Sequence, residues 1–202
     1  VRFLLEQQGS PVGMIGTIRY ELGDRTLPSF KTTPESADLY GMLRRIQAAG
    51  CSEAVMEVSS HGIDQNRVND LNLAVAAFLN LSQDHLDYHE SMEQYFRAKC
   101  KIFNGANGSL PVVGVINADC PWGRRLFEEI PSQVRLLTFG EALEADFRAR
   151  DIQLSQKGTE FLLECPEGVF EVHSPLLGRY NVSNVLAAFA ICRAMGQPTK
   201  DS

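Results

Sequence analysis

The chain has 202 residues, 44% of them apolar and 22% charged, enough for a sizeable core and ordinary for a globular domain. A net charge of −6 forces no basic face, which argues against nucleic acid as a partner, and the apolar runs are far too short for membrane insertion. The five cysteines (Cys51, Cys100, Cys120, Cys165 and Cys192) are odd in number and lack Cys-x-x-Cys spacing, the pattern of reduced thiols in a cytoplasmic protein.

Residues 1–9 read as the last turns of a helix closed by Gly9, its beginning absent, and the chain stops just after another helix. The sequence therefore reads as a fragment. A strand is expected over residues 12–18, then a polar turn at Gly23-Asp24. Thr33 is placed to cap a helix that has Pro34 at its first position, Glu35 near its positive end, and Leu39, Leu43 and Ile46 as its buried stripe. Gly50 ends it. Residues 54–58 form a short apolar run, the mark of a strand buried on both faces, with the acid Glu57 near its end. Residues 74–79 read likewise, and Ser91 then opens a helix with Gln94 three positions on, a capping-box spacing. A strand at 112–116, a helix start at Asp119 and Pro121, and a strand at 134–139 continue the alternation. Strands alternating with helices imply an α/β fold with a doubly wound, mostly parallel sheet flanked by helices. Over residues 147–172 the pattern changes to alternating strands around the turn Pro166-Glu167-Gly168, a small antiparallel element beside the main sheet. Asn181 is expected to cap a final apolar helix that Gly196 closes.

The densest chemistry follows the strand at 74–79, where ligands of open α/β sheets bind. Asp84, His85, Asp87 and His89 crowd into one loop. They admit zinc held by two His and an Asp, as in a metal-dependent hydrolase, or a hard ion such as Mg²⁺ that prefers oxygen. Glu57 within an apolar strand needs a cation or donors, so it is a candidate metal ligand or general base, unless it sits at an exposed strand end. Ser59, Ser60, Gln65 and Arg67 could together grip an anionic ligand. Lys99, by spacing alone, is a solvated helix lysine. The chain contains neither a Gly-x-x-x-x-Gly-Lys-Ser/Thr phosphate loop nor a Gly-x-Ser-x-Gly nucleophile elbow.

Four stretches taken in order resemble the Mur ligases, and within them the MurE-type branch. They are Thr32-Thr33-Pro34-Glu35; Met56-Glu57-Val58-Ser59-Ser60-His61 with Gln65-x-Arg67; Asn80-Leu81-Ser82-x-Asp84-His85-Leu86-Asp87-Tyr88-His89 through Lys99; and Leu177-Gly178-Arg179-Tyr180-Asn181-Val182-x-Asn184. The resemblance implies the central, ATP-binding domain of P-loop type over residues 1–202, cut before its phosphate loop and without the N-terminal UDP-binding and C-terminal domains. A chain so cut is expected to be inactive alone. The resemblance further implies an intact cytoplasmic enzyme that uses ATP and Mg²⁺ to add a diamino acid, meso-diaminopimelate or L-lysine, to UDP-MurNAc-L-Ala-D-Glu through an acyl phosphate. By position Glu57 and His85 would ligate Mg²⁺, and Lys99 would carry a carbamate derived from CO₂ that helps place a second ion. Thr32, Thr33, Ser59, Gln65 and Arg67 would hold the UDP-MurNAc-dipeptide, Asn181 would face the adenine, and Asp84 would orient His85. Lys31 stands where the family usually has Asn, and Glu90 where it commonly has Gly. A non-catalytic nucleotide-binding module is the other reading.

Overall fold

The computed structural model of the chain describes residues 1–7, 9–85 and 87–196. Gln8 and Leu86, which the sequence reading includes in the first helix and the histidine loop, lie outside the described residues. The chain forms two compact units, one of Val1–Asn72 with His85–Leu110 and one of Leu73–Asp84 with Pro111–Ser202.

The first unit carries helices α1 (Arg2–Glu6), α2 (Ser36–Ala48), α3 (Ser60–Asp64) and α4 (Met92–Cys100), with strands β1 (Val12–Ile15), β2 (Arg19–Glu21), β3 (Thr26–Pro28) and β4 (Glu53–Met56). The strands lie in the order β3-β2-β1-β4. The strand expected over 12–18 is thus two: β1 stops at Ile15, the chain reverses, and β2 returns antiparallel with Tyr20 opposite Ile15. An apolar run cannot announce that reversal, which follows from burying Ile15 and Tyr20 side by side. The expectation of a strand buried on both faces fails for β4. It pairs only with β1, at the sheet's edge, Ala54 is exposed, and Glu57 lies just beyond the strand. Helix α2 starts at Ser36, and its N-cap residue Glu35 makes no side-chain capping bond, so Thr33 is not the cap. Leu39 and Ile46 of the expected stripe are buried and Leu43 is half-buried. At α4 the expected cap forms, Ser91 Oγ accepting from the Gln94 N–H at 3.2 Å, while the Gln94 amide turns instead to Glu90.

The second unit carries β5 (Val75–Phe78), β6 (Val113–Asn117), α5 (Pro121–Glu129), β7 (Arg135–Gly140), β8 (Phe147–Ser155), β9 (Gly158–Cys165), β10 (Gly168–Ser174) and α6 (Arg179–Ala194). Its six strands run β10-β9-β8-β7-β6-β5, with β5 to β8 parallel and β8 to β10 antiparallel. The antiparallel element is therefore not beside the parallel strands but continuous with them, because Phe139 pairs with Phe147. Alternate residues of these strands, among them Val113, Val115, Leu137, Phe139, Phe147 and Leu163, share a core with Leu186 and Ala190 of α6. That alternation is what a sheet face covered by one apolar helix requires. Helix α6 begins two residues before Asn181, with Gly178 as its N-cap at φ +93°. Among the described residues none of the five cysteines forms a disulfide, and Cys51, Cys100 and Cys192 are buried. Among the described residues no helix is long and apolar enough to cross a membrane.

Candidate functional site

Parallel pairing ends with Ile15 opposite Met56, so the next residues, Gly16-Thr17 and Glu57, leave the sheet side by side at the strands' carboxyl ends. The Glu57 N–H closes the ladder on Ile15 O at 2.9 Å. Its carboxylate is exposed, and Oε2 accepts from both the Thr17 hydroxyl and the Thr17 N–H. Thr17 Oγ1 also lies 3.1 Å from Thr32 Oγ1. A Cβ on Gly16 would stand 3.0 Å from Glu57 Oε1, so glycine there keeps that oxygen clear.

Thr33, almost fully buried, bridges two chain segments instead of capping a helix. Its hydroxyl donates to Glu57 O at 3.1 Å and accepts from the Ser59 N–H at 2.9 Å. Ser59 in turn caps α3 through the Gly62 N–H at 3.1 Å. Gly62 must lack a side chain, since a Cβ would meet the Thr33 methyl carbon at 2.6 Å. Arg67 donates to Thr33 O at 2.8 Å, meets Gln65 Oε1, and pairs with Glu35 at 3.1 Å. Much of its guanidinium fork is therefore committed within the protein. The ammonium of Lys31, bonded to Glu35, and then the Arg67 charge hold the Glu35 carboxyl below its ordinary range. Lys31 and Arg67 thus share one carboxylate oxygen of Glu35.

The histidine loop is built on ring packing. His89 is buried, stacks on Tyr95 at 5.1 Å between centroids, and shares a 2.8 Å hydrogen bond with Ser60 Oγ. His61 meets the edge of His85 at 5.0 Å and lies 4.1 Å from the Tyr88 ring. His85, at φ +55°, also stands edge-on to Tyr95 at 5.8 Å, and the Lys99 ammonium lies 5.2 Å from the same ring's centre. Tyr95 thus gathers His85, His89 and Lys99, two of them from the expected metal site. Burial, and next the neighbouring His61, lower the pKa of His89. Burial alone lowers that of Lys99, so the solvated-lysine reading fails. Asp84 and Asp87 are exposed. Tyr88 donates to Asp64 at 3.1 Å, and Lys101 bonds the same carboxylate at 2.6 Å, keeping it below its ordinary range.

Among the described residues no group of three or more His, Cys, Asp or Glu side chains converges as a metal cage. The zinc arrangement on Asp84, His85, Asp87 and His89 is therefore not assembled, and the His89 Nε2 is engaged by Ser60. Of the residues expected to hold Mg²⁺, His85 and Lys99 both pack on the Tyr95 ring, whereas the Glu57 carboxylate takes Thr17 as a partner. In the second unit Asn181 lies in the first turn of α6, half-buried, its amide donating to Leu177 O at 2.8 Å and its carbonyl accepting from Asn184 at 3.2 Å. Sequence reasoning missed Gly16, Thr17 and Tyr95. A Gly-Thr pair directly after an apolar strand was the available signal for the first two.

A family model described as "Mur ligase middle domain" matches residues 1–192. A UDP-N-acetylmuramoyl-L-alanyl-D-glutamate--2,6-diaminopimelate ligase of Solibacter usitatus is 43% identical over 187 residues, 93% of this chain and 37% of the relative. The ligase of the same name from Bacillus licheniformis is 42% identical over 98% of this chain and 41% of its own length. A solved structure under that ligase name superposes with a TM-score of 0.84 at 30% identity, covering 99% of this chain and 41% of the other. MurF from Acinetobacter baumannii, 24% identical over 98% of this chain and 40% of its own, shares the fold with a TM-score of 0.73. The chain spans about two fifths of the length of the curated relatives it matches.

Proposed function

We propose, because the chain belongs to the Mur ligase family, that the complete protein is a cytoplasmic, ATP-dependent ligase of peptidoglycan synthesis that joins meso-diaminopimelate to UDP-MurNAc-L-Ala-D-Glu. The observation that carries this reading is the name shared by relatives 42–43% identical to the chain. It is supported by the hydroxyl, amide and guanidinium groups gathered beside Glu57.

A carboxylate is a poor electrophile. Transfer of the γ-phosphoryl group of ATP to the D-glutamyl carboxylate makes an acyl phosphate and releases ADP; the diamino acid's amine then attacks the acyl carbon, and phosphate leaves with the broken C–O bond. Thr32, Ser59, Gln65 and Arg67 bind and orient the UDP-MurNAc-dipeptide, while Thr33, buried with its hydroxyl spent on Glu57 O and the Ser59 N–H, holds their segments together. Arg67 reaches anionic oxygens only by loosening its hold on Glu35 or Gln65. Asn181 meets the adenine. Glu57 and His85 would hold Mg²⁺, with a carbamate on Lys99 helping to place a second ion, and the metal would neutralise the repulsion between carboxylate and triphosphate. The lowered Lys99 pKa favours the neutral amine, which adds to CO₂ and loses a proton to become the carbamate anion.

The test is ADP release by the complete gene product given ATP, Mg²⁺, the nucleotide-linked dipeptide and either diaminopimelate or L-lysine. Turnover with diaminopimelate is expected, and preference for lysine would move the amino-acid assignment. Lys99→Ala should lower kcat at least about a hundredfold, with partial recovery on adding acetate or formate. Full activity of that variant would remove the carbamate, and zinc-dependent turnover without nucleotide would replace the ligase by a hydrolase.

A further inference from the structure

Tyr20 is 1% exposed, its ring packed beside Ile15, and packing alone would be served equally by phenylalanine. Yet its hydroxyl is saturated. It donates to Lys31 O at 2.6 Å and accepts the Phe30 and Lys31 N–H groups at 3.1 and 3.0 Å. Residues 29–31 follow the end of β3 and have left the sheet ladder. Ser29 adds one weak bond to Lys31 O at 3.3 Å, so this phenol is the main anchor of the strap. The next two residues are the threonines that touch Thr17, the Glu57 carbonyl and the Ser59 amide.

We infer that Tyr20 is a positioning residue for substrate. From inside the core its hydroxyl fixes the strap so that the half-buried Thr32 meets the nucleotide-linked dipeptide at a set height beside Glu57. The inference rests on the proposed ligase reading and deepens it, naming the group that holds the substrate-binding Thr32. The hydroxyl touches no substrate. It acts through the backbone of Phe30 and Lys31, which is why neither motif nor spacing marks it.

The experiment is steady-state kinetics on the complete gene product with Tyr20→Phe, Thr32→Val and the double variant. Tyr20→Phe is expected to raise KM for the nucleotide-linked dipeptide about tenfold while kcat stays within about twofold. Because both residues act on one contact, the double variant should be little worse than the poorer single one. Unchanged KM in Tyr20→Phe, or fully additive effects, would overturn the inference while leaving the ligase reading intact. No ligation by the unsubstituted protein would instead sink that reading. Should Tyr20→Phe fail to fold, hydrogen exchange in the unsubstituted protein decides. Strong protection of both the Phe30 and Lys31 amides is expected, and exchange at free-peptide rates would overturn the anchor.

Discussion

The threonine strap and the histidine loop solve the same problem, holding side chains at the edge of a site, by different physics. In the strap, Thr32, Thr33, Thr17 and Ser59 are set by hydroxyl bonds to backbone and carboxylate, each with a defined direction. In the loop, His61, His85, His89 and Tyr95 are set by ring contacts, on a backbone that turns left-handed at His85 and Glu90. The strap should therefore be sensitive to losing an oxygen at constant volume. The loop should be sensitive to losing volume, to protonation, and to relief of backbone strain.

The sharpest way to break that contrast is His89→Ala, which empties a buried ring site and strands Ser60. It should cost about 3 kcal/mol, read as a shift of the urea midpoint, and a loss near zero would show that ring packing does not hold the loop. Thr33→Val keeps shape but leaves Glu57 O and the Ser59 N–H unpaired, so unfolding should show a loss of about 2 kcal/mol. If it were neutral, the strap would not depend on directed bonds.

Acid separates the two regions next. The folded His89 pKa is lowered, so below about 6.5 the unfolded chain binds a proton that the folded chain refuses. Stability therefore falls as pH drops from about 6.5 toward the folded value. The midpoint temperature should be lower at pH 5.5 than at 7.5, with a smaller difference in His89→Gln. An equal difference in that variant would assign the effect elsewhere. The smallest effect belongs to Glu90, held at φ +48°, a conformation that favours glycine. Glu90→Gly should stabilise by about 1 kcal/mol in thermal unfolding, because an L side chain pays for that conformation. Destabilisation would mean that the Glu90 bond to Gln94 outweighs the strain.

Local codes were legible in the sequence. The Ser91 cap with its Gln94 amide, the antiparallel turn at Pro166–Gly168, and the apolar face of α6 all depend on residues a few positions apart. The motif residues Glu57, Ser59, His85 and Lys99 were legible as types without their surroundings. Lys99 shows the limit most clearly: spacing makes it a solvated lysine, and only the fold shows it half-buried with its ammonium over the Tyr95 ring.

What the sequence by itself determined is the α/β alternation, the Ser91 cap and the family, because these depend on short-range pattern and motif order. Tertiary structure alone decided that β1 reverses into β2, that β4 lies at a sheet edge, that Thr33 bridges two chain segments rather than capping a helix, and that Tyr20 anchors the strap. Apart from the short β1–β2 reversal, each of these joins residues ten or more positions apart. Such pairings are chosen by which groups can be buried and bonded together, and no local pattern records that choice.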